Sequence, residues 1–267
     1  VSGYSFLLHG ERSFMEIIAI VNNESLIFMG LSAFCIFLTQ NFGWRSIVLL
    51  DDLIIPIGII GTLIGLVMML GSEENLEAIP GGVFAALTPT LYALAIKSLI
   101  SERHDFVELN SGLPSKLMGL LGLLLVIAYT MEVSEGVFGF LDLNAFIFVL
   151  SVIVLTAIIN LIREQPILAG LQKRLAGVGL LGLVLGISLM LPDFYNPRSL
   201  GPAVAFGYLS LMYAMLMLVI LRILIPDQSW KDGVASPINW LTLGLPFLIG
   251  LAVSISLLLA SHLALLK

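Results

Sequence analysis

A single cysteine, Cys35, leaves no intrachain disulfide and no thiolate metal centre to be built. It lies in an apolar stretch and reads as a small buried side chain. Histidine is nearly as scarce: His9, His104 and His262 fall in separate segments, and no H-E-x-x-H pattern occurs. The chain therefore reads as a non-enzyme with no metal and no cofactor. Charge is the deepest deficit. With 11% charged against 59% hydrophobic residues, polar surface is too scarce to cover a soluble globule of 267 residues. The formal charge of −6 comes from acids in short connections, so no basic patch recommends nucleic acid. A basic leader with a small-residue cleavage site is also missing, because Glu11, Arg12 and Glu16 interrupt the N-terminal stretch. Residues 1–24 read instead as an interfacial segment, with 13–21 able to lie along a membrane surface.

What is abundant is apolar sequence in runs of membrane-spanning length, about 20 residues each. Eight segments fit: Ser25–Gln40, Leu53–Leu70, Ile79–Ile100, Lys116–Met131, Asn144–Ile162, Leu175–Leu191, Leu200–Ile225 and Asn239–Leu266. The fold class expected is all-α, a polytopic membrane protein. Basic residues sort by side. Arg45, Lys97, Arg103, Lys116, Arg163, Lys173, Arg174, Arg222 and Lys231 share one face, and only Arg12, Arg198 and Lys267 the other. The positive-inside rule then puts both termini outside, in the periplasm of a bacterial inner membrane. The outer connections are acidic, with Glu73, Glu74, Glu77, Glu132, Glu135, Asp142 and Asp193.

Sliding the sequence on itself by 121 residues exposes an internal duplication. Gly58, Gly61 and Gly65 fall on Gly179, Gly182 and Gly186, and Asn75, Val83, Tyr92 and Ala93 fall on Asn196, Val204, Tyr213 and Ala214. The same shift lays the first helix on the fifth and the fourth on the eighth. The expected organisation is a four-helix repeat at 25–131, an outward linker at 132–145 and a second, degenerate repeat at 146–267. An even number of helices per unit makes the repeats parallel, unlike the inverted repeats of many transporters.

Gly58, Gly61 and Gly65 form one small-residue stripe on the second helix, with Thr62 at its border. Gly82, Ala85, Ala86, Pro89, Thr90 and Ala93 form another on the third, beside Tyr92. Two such faces are the signature of a tight helix pair, and Gly182, Gly186 and Tyr213 repeat it. No Asp, Glu, Lys or Arg falls near the middle of any expected helix. A proton relay would need its titrating group from another polypeptide, with Thr62 and Thr90 beside it. Lys97, seven residues beyond Thr90 on the same face, either influences an ion exit or snorkels to the inner interface. Asp51 and Asp52 read as acids favouring the N-terminus of the second helix, and His262 as a capping or packing residue.

The run Gly58-Ile-Ile-Gly61-Thr62-Leu-Ile-Gly65-Leu-Val-Met-Met-Leu70, an acidic loop, and Ala78-Ile-Pro-Gly through Leu87-Thr-Pro-Thr90-Leu-Tyr92-Ala resemble the pore helices, here 53–100, of the MotA/TolQ/ExbB family. Leu200-Gly201-Pro202-Ala203-Val204-Ala205 and Met212-Tyr213-Ala214 resemble that family's last helix. The resemblance implies a stator-like ion-channel subunit, assembled as an oligomer or hetero-oligomer in lipid. Its partner would be a single-helix protein of the MotB/TolR/ExbD kind, whose membrane aspartate carries the ion. Thr62 and Thr90 match family threonines, and Pro89 in place of a further threonine favours H+ over Na+. Only Asn41–Asp52 stands where family members carry a sizeable cytoplasmic domain. In the second copy Leu183 and Leu211 replace the two threonines, which makes that copy structural. Intact chains with two equivalent units each cannot form the family's fivefold ring. Two other readings are a non-conducting scaffold subunit and a small-molecule permease of parallel repeats.

Overall fold

Asn22 opens the first described helix by accepting from the amides of Glu24 at 3.0 Å and Ser25 at 3.4 Å, which satisfies two of the donors a helix start leaves unpaired. The computed structural model describes residues 22–71, 79–100, 112–164, 166–192 and 197–225, with residue 252. Among them the regular structure is all helical: α1 (Asn23–Thr39), α2 (Trp44–Gly71), α3 (Ile79–Leu99), α4 (Leu113–Ser134), α5 (Leu143–Ile162), α6 (Ile167–Met190) and α7 (Pro197–Leu224). A 3-10 turn at Val137–Phe140 joins α4 to α5. Six of these helices are long and apolar enough to cross a bilayer, and α1 is shorter, at 17 residues. The chain is thus a polytopic helical membrane protein. The expected eighth helix, most of the interfacial segment 1–24, and His9, His104 and His262 lie outside the described residues.

Two starts differ from expectation. Helix α2 begins at Trp44, nine residues before Leu53, so Asp51 and Asp52 sit two turns inside the helix and do not cap it. Helix α6 begins at Ile167, before Leu175, and takes in Gln172, Lys173 and Arg174. In both cases polar residues that looked like a boundary are tied down by other helices. Gln172 Nε2 donates to the carbonyls of Leu221 at 3.1 Å and Ile225 at 2.7 Å, closing the C-terminal end of α7. The linker expected at 132–145 is shorter, because α4 continues to Ser134 and α5 starts at Leu143.

Helix α2 is the hub, enclosed by α1, α3, α4 and α7, while α6 packs on α5 and α7. Its buried face supplies Leu53, Ile54, Ile57, Ile60, Leu63 and Leu66 to one continuous core that runs on into α7 through Tyr208, Met212 and Met215. Helices α4 and α5 turn bulky side chains outward, among them Leu121, Leu125, Phe146 and Leu155, as lipid-facing helices do.

Helices α1 and α5 keep a spacing of 120 residues, one fewer than the 121 of the later helices. Asp142 caps α5 as Asn22 caps α1, accepting from Asn144 N at 2.7 Å and Ala145 N at 3.3 Å. Buried Gln40 caps the end of α1, and buried Asn160 lies in the last turn of α5. These caps and buried amides stand one residue off the shift of 121 expected from the sequence.

Candidate functional site

Glycine lets α2 and α3 approach backbone to backbone. A methyl group on Gly58 would lie 2.5 Å from Ala93 Cβ and 3.0 Å from Pro89 O; on Gly61, 2.9 Å from Pro89 Cβ; on Gly65, 2.9 Å from Ala86 Cα. The paired numbers fall as one rises and the other drops, so the helices are antiparallel. A methyl on Gly82 would lie 3.3 Å from Met69 Cγ, near the far end of the pair. These are the contacts of the small-residue stripes, all within one chain.

Within this seam the hydroxyls of Thr62 and Thr90 meet at 2.7 Å. Thr62 is wholly buried and Thr90 is 8% exposed. The neighbouring Thr88 behaves differently and donates to its own helix, at Phe84 O, 3.1 Å. Thr90 bonds across to α2, and Pro89 beside it contributes no backbone N–H to α3. The seam therefore holds an inter-helix hydroxyl pair that can donate or accept one further bond.

Lys97 is ion-paired across the α2–α3 interface. Its Nζ is 2.6 Å from Asp51 Oδ1 and donates to Asp51 O at 3.1 Å. Next to this pair Arg222 Nη1 lies 3.4 Å from Asp52 Oδ2, with both side chains about nine-tenths buried. The two acids of α2 are matched by one cation from α3 and one from α7. A buried acid without such a neighbour would be costly in a low-dielectric setting, so these pairs explain how α2 accommodates adjacent aspartates. Sequence reasoning read Asp52 as an acid at a helix start and Arg222 as an inner-side cation, and did not foresee their pairing; the only signal was two acids inside an otherwise apolar run.

Helices α6 and α7 form a second seam of the same construction. A methyl on Gly179 would lie 3.0 Å from Ala214 Cβ, and on Gly186, 2.6 Å from Gly207 Cα and 2.8 Å from Ala203 O. A methyl on Gly182 would lie 3.2 Å from Phe148 Cε1, as one on Gly61 would lie 2.7 Å from Phe28 Cε1. Where the first seam has Thr62 and Thr90, the second has Leu183 and Leu211, at 2% and 0% exposure.

The two tyrosines expected as packing residues also tie the starts of α1 and α5. Tyr92 Oη accepts from Asn22 N at 3.1 Å, and Tyr213 Oη accepts from Asp142 N at 3.0 Å while donating to Phe140 O at 2.6 Å. Cys35 is buried as a free thiol. Among the described residues no three His, Cys, Asp or Glu side chains group as a metal site. No family model matches the chain, and no characterised protein or solved structure is significantly similar to it.

Proposed function

We propose that the chain is a subunit of an ion-driven inner-membrane complex, built from two diverged copies of a four-helix unit. In this reading the α2–α3 seam flanks the path of an ion carried by a carboxylate on another polypeptide. One observation carries it. The same glycine-lined seam is made twice, once around a hydrogen-bonded threonine pair and once around leucines at the same positions. Leucine suffices to hold such a seam together, so the hydroxyls of Thr62 and Thr90 are surplus to packing. Hydroxyls that can bond a proton carrier or its water are what a path beside a titrating group needs.

The resemblance to MotA/TolQ/ExbB subunits supports the same role. It supplies the partner's chemistry: a single membrane helix with an aspartate, of the MotB/TolR/ExbD kind. Protons fit better than sodium, since Pro89 stands where a further hydroxyl would help to coordinate a metal cation. Charge distribution supports both termini facing the periplasm. Lys97 drops out of the path in this proposal, because Asp51 holds it.

A second reading, a non-conducting scaffold, draws on one fact. The two hydroxyls bond to each other, and Thr62 is wholly buried. Gentle purification separates the readings. The proposal expects a co-purifying protein with one aspartate-bearing apolar helix, and proton flux into vesicles that Asp→Asn in that helix abolishes. A stable complex that conducts no ions under any gradient would favour the scaffold.

A further inference from the structure

The duplication puts opposite charges at one place in the two repeats. A shift of 121 residues lays Asp51, Asp52 and Leu53 of α2 on Gln172, Lys173 and Arg174 of α6. In the first repeat the charges are closed off from within, by Lys97 of α3 and Arg222 of α7. In the second they are left open. Lys173 and Arg174 are both exposed, and neither makes an ion pair among the described residues. Helices α5, α6 and α7 contain no aspartate or glutamate at all, and Leu218 stands where the first repeat has Lys97. Glu164, in the connection before α6, is exposed and makes no ion pair with them either.

The surroundings of the two cations show what can supply the missing charge. Lys173 lies six residues past Ile167, the first of α6, which is about 9 Å along the axis. On the inner side of that level Ile167 and Leu168 are exposed, as are Leu161 and Ile162 of α5, at 66% and 76%. On the outer side Leu181 and Val184 are exposed, on the same helical stripe as Arg174 and Gly177. The cations thus interrupt an apolar surface that continues past them in both directions. Bulky apolar side chains stay out of water when lipid reaches them, so the bilayer extends inward to the level of the cations and beyond. An unpaired charge at that depth calls for a counter-charge. Arg45 and Arg163, also exposed on the inner side, stand instead at helix ends. A methyl on Gly177 would meet nothing within 4 Å, so one turn outward from the cations the stripe carries an open notch.

We propose that Lys173 and Arg174 bind the phosphodiester of an anionic phospholipid of the inner leaflet, with an acyl chain lying along α6 over Gly177 and against Leu181 and Val184. Arginine takes phosphate oxygens in pairs and lysine meets them as a point charge, so the two neighbours hold one headgroup. The lipid neutralises in the second repeat what Lys97 and Arg222 neutralise, with the signs reversed, in the first. A zwitterionic lipid brings its own ammonium to the same place and fits less well. The site is independent of ion conduction.

The test uses the full chain in mild detergent, titrated with phosphatidylglycerol or phosphatidylcholine of the same acyl chains, with bound lipid counted by native mass spectrometry. Phosphatidylglycerol should be retained in preference, and Lys173→Gln with Arg174→Gln should weaken its binding about tenfold or more. Gly177→Leu, which fills the notch, should weaken it as well. Arg45→Gln removes an inner cation elsewhere and should leave it unchanged. All of these positions are exposed, so folding is preserved, and protection of Cys35 from a thiol reagent confirms it. Equal retention of the two lipids, or undiminished retention in the double variant, would overturn the proposal. A loss in Arg45→Gln as large as in the double variant would do the same, since it marks attraction to the whole inner face. Displacement of the lipid by inorganic phosphate at equal concentration would show a site for free anions, and an acidic protein recovered in its place a protein interface; either result contradicts a lipid site.

Discussion

Gly186→Ala places one methyl group where the backbone of α7 already stands. The new Cβ would lie 2.6 Å from Gly207 Cα, 2.7 Å from Gly207 N and 2.8 Å from Ala203 O. Carbon atoms in ordinary contact sit about 3.5–4.0 Å apart, so the helices must separate by about 1 Å, and backbone cannot rotate out of the way. A gap of that size forfeits about a quarter to a half of the dispersion energy along the seam, and overpacking of this kind costs about 1–3 kcal/mol. Gly65→Ala meets Ala86 Cα and Cβ at 2.9 Å, a milder clash, and its cost falls toward the lower end. Gly30→Ala in α1 meets nothing within 4 Å, so only its helix propensity changes, a gain of up to about 1 kcal/mol. Cys35, 6% exposed, is the natural readout, because a thiol reagent labels it when the bundle opens. Labelling followed through an SDS titration should rank stability as Gly30→Ala above wild type, then Gly65→Ala, then Gly186→Ala. Equal midpoints for Gly186→Ala and Gly30→Ala would refute the claim that glycine is there for backbone contact.

Other substitutions probe the polar ties. Arg222→Met removes a counter-charge from buried Asp52 and should destabilise by about 3–5 kcal/mol in the same titration, with Asp52→Asn in the double variant restoring part of the loss. Tyr213→Phe loses the bond to Phe140 O and the one from Asp142 N, for about 1–2 kcal/mol. Tyr92→Phe, losing the acceptor for Asn22 N, should lower stability in the same direction. In native membranes Cys35 should resist a membrane-impermeant maleimide, and prompt labelling would contradict its burial.

How much of this was legible in the sequence depended on whether the cause was local. The stripes of Gly58, Gly61, Gly65, Ala86 and Ala93 could be read directly, because small residues at helical spacing have one physical use, and the structure sets those residues against each other. Thr62 and Thr90 were legible as lying on those faces, but not as partners, since depth along two helices is not written in either one. The starts of α2 and α6 were misplaced for a tertiary reason. Asp51, Asp52, Gln172 and Lys173 look like the edge of a helix until cations or carbonyls from α3 and α7 are brought beside three of them. Lys97 was read as an isolated cation for the same reason. The one-residue difference between the spacing of α1 to α5 and that of the later helices was hidden because leucine-rich helices match at either register; only the caps Asn22 and Asp142 and the buried amides Gln40 and Asn160 reveal it.

The claim that the hydroxyls are surplus to packing and necessary for conduction can be put to a single measurement. Thr62→Val with Thr90→Val keeps shape and removes both hydroxyl groups, and the leucines of the second seam show that an apolar pair is tolerated there. Proton flux through the complex purified with its partner is expected to be lost in this double variant while its SDS midpoint stays near that of the unmodified chain. Undiminished flux in a folded double variant would contradict the account.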